Sequence, residues 1–302
     1  MRFLVTGGAG FIGSHIAEAL LADGHSVRII DNLRAGSLKR ISHIMDSIEF
    51  IKADIRDGGA LRSAMRECDG VFHQAALVSV QESYVMKQEY HDVNVTGTKN
   101  VLEHAADLGI KAVYASSSSV YGNPQSTPTR EDAPLRPENP YGATKADAEA
   151  VAQECIRSGA SVVGLRYFNV YGSGQTGTYA GVITQFMRRL EEAKPPIING
   201  DGTQSRDFVY VGDAAAANLS AIFSRTDSGF FNIGTGKGTT INQLARIMTR
   251  VYSLDMEPEY ADALPGDVMA SRADTLLASQ AIPWTHATEL DKGLSEVIRR
   301  SS

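Results

Sequence analysis

Tyr141 and Lys145 stand four residues apart at the head of a helical stretch, Tyr141–Arg157, so that phenol and ammonium share one face. A tyrosine ionises near pH 10, and acting as a base near neutrality asks for a shift of ~3 units, or ~4 kcal/mol. One cation at ~4 Å in an effective dielectric near 20 supplies about that much. Lys145 is therefore sufficient in magnitude to make Tyr141 a proton acceptor. Just upstream, Ser116-Ser117-Ser118-Ser119 closes a β-branched run. A Tyr-x-x-x-Lys pair is by itself also an ordinary surface helix pair, so its weight depends on what surrounds it.

A second constellation opens the chain. Gly7, Gly10 and Gly13 form G-x-x-G-x-x-G between a first strand and a first helix. Such a turn lets backbone approach a pyrophosphate, and the helix N-terminus offers free N–H groups to it; alone, the turn is also a plain tight connection. Asp31 ends the second strand, where a carboxylate takes the two ribose hydroxyls of adenosine and repels a 2′-phosphate. NAD is thereby favoured over NADP, a preference that Arg34 on the following loop could soften. Asp54-Ile55 ends the third strand facing the adenine, and His73-Gln74-Ala75-Ala76 ends the fourth with residues small enough for close approach.

The elements that must carry these residues alternate. Strand patterns at Arg2–Thr6, Ser26–Ile30, Ile48–Ile51, Gly70–His73, Lys111–Ser116, Ser161–Arg166 and Phe230–Ile233 are separated by helical ones at Ser14–Ala22, Lys87–Leu108 and Tyr141–Arg157. This is the signature of βαβ units and a doubly wound parallel sheet. After Arg166 the rhythm breaks at Gly172-Ser173-Gly174, Pro195-Pro196 and Gly200-Asp201-Gly202, implying a smaller lobe. Asp207–Val211, a helix over Asp213–Phe223 and the strand Phe230–Ile233 look like sheet material again. The expected organisation is a nucleotide-binding domain over 1–168 with returning elements at about 207–235, and a substrate domain from 169–206 and 236–302.

Taken in order, Gly7-x-x-Gly10-x-x-Gly13, Asp31-Asn32, Asp54-Ile55, Ser116–Ser119 with Val120-Tyr121-Gly122, Tyr141-Gly142-Ala143-Thr144-Lys145, Arg166-Tyr167-Phe168-Asn169 and Arg206-Asp207-Phe208-Val209 resemble the extended short-chain dehydrogenase/reductase superfamily. Within it they look like the nucleotide-sugar 4-epimerases of the UDP-glucose 4-epimerase group. The resemblance spans nearly the whole chain. It implies a Rossmann sheet with a smaller, interleaved C-terminal α/β substrate lobe, a tightly held NAD, and epimerisation of a UDP-sugar through a transient 4-keto intermediate. It implies Tyr141 as acid/base, Lys145 as pKa modulator and nicotinamide-ribose anchor, and Ser117 as the hydroxyl on the sugar O4. Ser117 lies three residues before Val120, as the family's Ser or Thr does; Ser116 and Ser118 are its rivals. Around the cofactor it implies Phe11, Ile12, Asn32, Ala75, Ala76, Asn94 and Tyr167; for the nucleotide sugar it implies Asn169 and Arg206. Gly266–Ser271 is similar to a late substrate loop in which Asp267 meets the uridine ribose. Leu264 stands where some relatives carry a second diphosphate arginine. Ser271 stands where glucose-restricted epimerases carry Tyr, and its small side chain leaves room for a 2-acetamido group. The resemblance also implies a homodimer built on Lys87–Leu108 and Tyr141–Arg157.

Rival chemistries are weighed at particular residues. The superfamily's 4,6-dehydratases carry Asp-Glu before Val-Tyr-Gly and its decarboxylases a Glu; here Ser118-Ser119 stand there, and hydroxyls cannot replace those acids. A 4-reductase or another epimerase of the superfamily stays a rival, whereas a non-catalytic NAD-binding regulator has no need of Tyr141, Lys145 and Ser117. No Gly-x-Ser-x-Gly elbow appears, and in Gly234-Thr235-Gly236-Lys237-Gly238 a glycine stands where a P-loop needs Ser or Thr. The 7 histidines show no metal-ligand spacing, so no metal is expected; His73 reads as a hydrogen-bonded core residue and Trp284 as core of the small lobe.

The 302 residues carry 29 Lys plus Arg against 35 Asp plus Glu, a net charge of −6, which offers no basic footprint for nucleic acid. Anionic ligands must be gripped locally. Cys68 and Cys155 are too few for a disulfide scaffold, and no apolar run is long enough to cross a membrane. With no signal-peptide pattern at Met1–Gly8, a cytoplasmic enzyme is the expectation.

Overall fold

The computed structural model describes residues 1–175, 181–263 and 268–301. In chain order the first part comprises β1 (Arg2–Thr6), α1 (Phe11–Ala22), β2 (Ser26–Asp31), α2 (Leu38–Ile41), β3 (Ile48–Lys52), α3 (Gly58–Met65) and β4 (Gly70–His73). It continues through α4 (Val80–Val85), α5 (Lys87–His91), α6 (Thr98–Asp107), β5 (Lys111–Ser117), α7 (Pro140–Arg157) and β6 (Val162–Tyr167). Then follow β7 (Asn169–Tyr171), α8 (Val182–Glu191), β8 (Ile197–Asn199), β9 (Ser205–Arg206), β10 (Phe208–Tyr210), α9 (Val211–Phe223) and β11 (Ser228–Ile233). The chain ends with β12 (Thr239–Thr240), α10 (Ile241–Val251), β13 (Glu259–Ala261), α11 (Leu276–Ala281) and α12 (Leu290–Ser301).

Seven strands form one parallel sheet in the order β11-β6-β5-β4-β1-β2-β3. From β3 to β6 this is the doubly wound Rossmann order, with its reversal between β1 and β4, where a crevice opens at the strand carboxyl ends. Both faces are covered, so the strands read as near-continuous apolar runs: all of β4 and β6 is buried. On one face β1, β2 and β5 pack against α1 and α9 through Phe3, Ile16, Leu20, Ile29, Ala214 and Ala221. On the other, Leu4, Ile30 and Tyr114 meet Leu61, Val101, Leu102, Ala148 and Ala152 of α3, α6 and α7. A separate core joins α8, α10 and α12 through Phe186, Leu190, Leu244, Met248 and Leu294.

Three readings of the sequence are revised. The stretch Lys87–Leu108 is not one regular helix: a π-helical segment, Asp92–Gly97, joins α5 to α6. There the helix runs so close to Ile55 that a Cβ on Gly97 would lie 2.5 Å from its side chain. The strand expected over Asp207–Val211 does not enter the large sheet. Both edges of β6 are taken by β5 and β11, so β10 pairs with β7 as a separate parallel ribbon. Trp284 belongs to the large sheet's core rather than the small lobe's; with Ala278 and Ile282 it joins the α9 side, and its Nε1 donates to the Asp213 carbonyl.

Candidate active site

A cavity of about 390 Å³ follows the strand carboxyl ends from β3 to β6. Its floor is the glycine turn. Gly7 has φ +66°, a left-handed conformation, and a Cβ there would meet Ala75 N at 2.7 Å; a Cβ on Gly13 would meet the Gly7 carbonyl oxygen at 2.3 Å. Only glycine lets β1, the turn and α1 close this tightly. Gly10, Phe11, Ile12 and Gly13 line the cavity, so the first turn of α1 presents its amides there.

At one end stand Asp31, Asn32, Asp54 and Ile55. The buried Asp31 carboxylate accepts from the Ala9 and Leu33 amides, at 3.0 and 2.8 Å. Burial raises its pKa, against those two bonds and the charge of Arg40. Asn32 donates to Asp54 at 2.9 Å, and Arg56 grips Asp54 with two nitrogens, which holds that carboxyl well below the usual range.

At the other end stand Ser117, Tyr141, Lys145 and Tyr167, with Ala75 and Ala76 between. Asn139 caps α7 by accepting from the Gly142 amide, and Pro140 opens its first turn, which delivers Tyr141 to the cavity. Burial raises the Tyr141 pKa, and the nearby Ser117 hydroxyl, which accepts from Ser119 Oγ at 2.9 Å, opposes the rise. The Ser116 hydroxyl, by contrast, is spent on the buried Glu149 at 2.5 Å. Lys145 donates to the Ala115 carbonyl at 2.9 Å and lies 5.4 Å from the Tyr114 ring centroid. Burial brings its pKa down to about 8, with Glu149 pulling the other way. The Lys145 ammonium is thus turned to a backbone carbonyl in this structure.

Tyr167 donates to Gln74 and accepts from Asn218 at 2.7 Å, which fixes its ring at the cavity wall. Asn94 does not line the cavity. Its amide donates to the Leu77 carbonyl and Thr144, and its oxygen accepts from the Leu77 amide, so it positions the β4–α4 loop and α7. His73 is the expected core residue, bonded to Thr6 and Thr98, and burial lowers its pKa to about 3.

The residues assigned to the nucleotide sugar form a different group. Asn169, Arg206 and Ser271 do not line this cavity. They gather beside it around the segment 205–207: Asn169 N donates to the Asp207 carbonyl and Ser271 N to that of Ser205. Arg206 donates to the Ser205 and Val268 carbonyls. Asp267 and Leu264 lie outside the described residues. The loop Gly234–Gly238 has a structural task, since Asp207 accepts from Thr235 and Gly236 amides.

Sequence reasoning missed the scaffold under Ser117 and Tyr141. Arg166 pairs with Glu149 through two nitrogens at 2.9 and 2.7 Å, both side chains buried, and donates to Tyr121 at 2.7 Å. Tyr121 in turn donates to Asn232. The available signal was Glu149 one turn past Lys145 on the same buried face of α7.

The model of the NAD-dependent epimerase/dehydratase family matches residues 3–234, most of the chain. The chain belongs to that family. Its cofactor is NAD, and the cavity fits it: a glycine turn under a helix N-terminus, an acid at the end of β2, and a Tyr-Lys pair at the far end. Among members of the epimerase/dehydratase family, the UDP-glucose 4-epimerase of Bacillus subtilis is 32% identical over 98% of this chain and 94% of its own. A UDP-N-acetyl-alpha-D-glucosaminuronate decarboxylase of Bacillus cytotoxicus is 35% identical over 81% of this chain and 78% of its own. The solved structure of a UDP-N-acetylglucosamine 4-epimerase from Methanobrevibacter ruminantium, in complex with UDP-N-acetylmuramic acid, superposes with a TM-score of 0.94. It is 36% identical, covering 99% of this chain and 97% of that one. Within the described residues, no helix is long and apolar enough to cross a membrane.

Proposed function

We propose that the protein is a 4-epimerase interconverting UDP-glucose and UDP-galactose, and also UDP-GlcNAc and UDP-GalNAc, with NAD retained through the cycle. The observation that carries the reading is that Ser117 and Tyr141 line the same β5–β6 end of the cavity, with Ser117 followed in the chain by hydroxyls rather than carboxyls. Dehydration and decarboxylation need an acid near the sugar. The carboxylates lining the cavity, Asp31 and Asp54, close β2 and β3, three and four strands from β5, or roughly 14 and 19 Å by strand spacing.

Bound NAD supplies the hydride acceptor, and later donor, for the sugar C4. Tyr141 Oη takes the proton of the 4-hydroxyl and returns it to the 4-ketose after the sugar has turned over. Ser117, at the same end of the cavity, orients the sugar oxygen. The Lys145 ammonium, one turn below, stabilises the phenolate and holds the nicotinamide ribose. Asn169, Arg206 and Asp267 hold the nucleotide, with the Arg206 fork suited to phosphate oxygens. We take the assembly to be a homodimer formed through the α5–α6 stretch and α7.

Incubation with UDP-glucose, UDP-GlcNAc and UDP-glucuronate, with products read by NMR, tests the reading. Inversion at C4 of the first two supports it. A 4-keto-6-deoxy sugar, loss of carbon dioxide from the uronate, or no reaction with any of them overturns it.

A further inference from the structure

The adenosine end of the cavity carries a charge arrangement that the sequence pattern does not reveal. Arg34 lines the cavity on the loop after Asp31. Its backbone is fixed, since its amide donates to Asn32 Oδ1 at 3.0 Å while Asn32 is bonded to Asp54. Its guanidinium pairs with two acids on the helices that follow β4, Glu82 of α4 at 3.4 Å and Glu89 of α5. Glu82 is itself held: the Ser79 hydroxyl caps its amide, and its second oxygen accepts from the hydroxyl of the fully buried Tyr90 at 2.9 Å.

The two other guanidiniums lining this end are engaged as well. Arg40 donates to the Ala9 and Gly174 carbonyls, at 2.9 and 2.7 Å, and Arg56 grips Asp54. A 2′-phosphate on the adenosine ribose is dianionic near neutrality and is ordinarily received by an arginine beside this strand end. Here it would meet Asp31 directly, with Arg34 neutralised by its pair of carboxylates.

We propose that Glu82 and Glu89 determine dinucleotide choice: by pairing with Arg34 they withhold its guanidinium from a 2′-phosphate and add their own negative charge to that of Asp31. The selection against NADP is thus shared between the strand end and two acids 48 and 55 residues beyond Arg34. This rests on the placement of the adenosine ribose at Asp31. Ion pairs open to solvent are individually weak, so the two acids act together and the effect on selection is moderate.

The purified protein is equilibrated with an equimolar mixture of NAD and NADP, starting from NAD-loaded and from NADP-loaded samples, and the bound nucleotide is released and quantified. Glu82→Gln/Glu89→Gln is expected to raise the bound NADP:NAD ratio about tenfold over wild type, with the circular dichroism spectrum unchanged. Adding Arg34→Ala to that variant should return most of the gain. A ratio unchanged in the double variant, or a gain that persists in full without Arg34, overturns the proposal. Asp31→Asn separates the two layers: it should weaken NAD binding and raise the ratio. If it leaves both untouched, the ribose placement is wrong and the proposal falls with it.

Discussion

The floor of the cavity and the ledge beside it are built by opposite means. The floor is made of the ends of long strands in a seven-stranded sheet, with the glycine turn packed so closely that a Cβ on Gly13 would overlap a backbone oxygen at 2.3 Å. The ledge carrying Asn169, Arg206 and Ser271 is made of strands two or three residues long, paired in two-stranded ribbons. A side chain on the floor has its direction set by a ladder buried on both faces. One on the ledge depends on a few hydrogen bonds to a loop. Rigid placement suits the cofactor and the proton transfer; a ledge of short ribbons can change sugar preference without disturbing the sheet.

The contrast is broken most directly at the chemistry. Tyr141→Phe with Lys145→Met removes proton acceptor and ammonium together, and turnover should fall by at least about 10³-fold, within the range for losing general acid–base catalysis and its electrostatic support. The far-UV spectrum should stay that of wild type, since neither change opens the sheet. Steady-state epimerisation followed by NMR measures the first and circular dichroism the second. Turnover within tenfold of wild type would take the reaction away from this end of the cavity.

Next in size is the scaffold beneath it. Glu149→Gln leaves the Arg166 guanidinium buried without its counter-charge, and breaking a buried pair on one side costs about 3–5 kcal/mol. For a chain this long that lowers Tm by roughly 5–8 °C. Arg206→Met on the ledge should cost under about 1 kcal/mol, because the charge it removes is partly exposed. Equal Tm changes for the two variants would erase the distinction between floor and ledge.

A pH titration probes the same burial. His73 has a folded pKa lowered to about 3, against about 6.5 unfolded. Below pH 6.5 the unfolded chain binds a proton that the folded one refuses, so stability falls as pH drops through 6.5 and keeps falling to about 3. Between pH 7 and 4.5 this one group should account for about 3 kcal/mol. Urea unfolding of wild type and His73→Asn across that range should show the variant less stable at pH 7 but less sensitive to acid. Parallel pH dependences would mean that His73 is hydrated in the fold.

What could be read from the sequence follows the same division. Gly7, Gly10, Gly13 and the Tyr141–Lys145 pair are legible because their geometry is local: a turn of seven residues, one turn of a helix. Asp31 is legible because a strand end is. Glu149 with Arg166, Tyr167 with Gln74 and Asn218, and Arg34 with Glu82 and Glu89 join residues between 17 and 93 positions apart, and only the folded sheet brings them together. The bonds of Asn94 were not legible for a related reason. Its position beside the cavity is set by the helix, but its amide is consumed by Leu77 and Thr144, a fact that depends on how two loops pack.

The smallest expected effect sharpens the comparison from the ledge side. Ser271 is half-buried and tied by its amide to the Ser205 carbonyl at 3.1 Å, so its side chain can be enlarged without touching the large sheet. If the ledge sets sugar preference, Ser271→Tyr should lower kcat/KM for UDP-GlcNAc relative to UDP-glucose by about tenfold, the scale on which a filled pocket discriminates an added group. Because the floor is untouched, the NAD content of the purified variant and its kcat/KM for UDP-glucose should stay within about twofold of wild type, a twofold change being about 0.4 kcal/mol. Undiminished activity on UDP-GlcNAc would place the acetamido pocket elsewhere. Equal losses on both sugars would show that floor and ledge are coupled, and that a short ribbon can still disturb the ends of the long strands beside it.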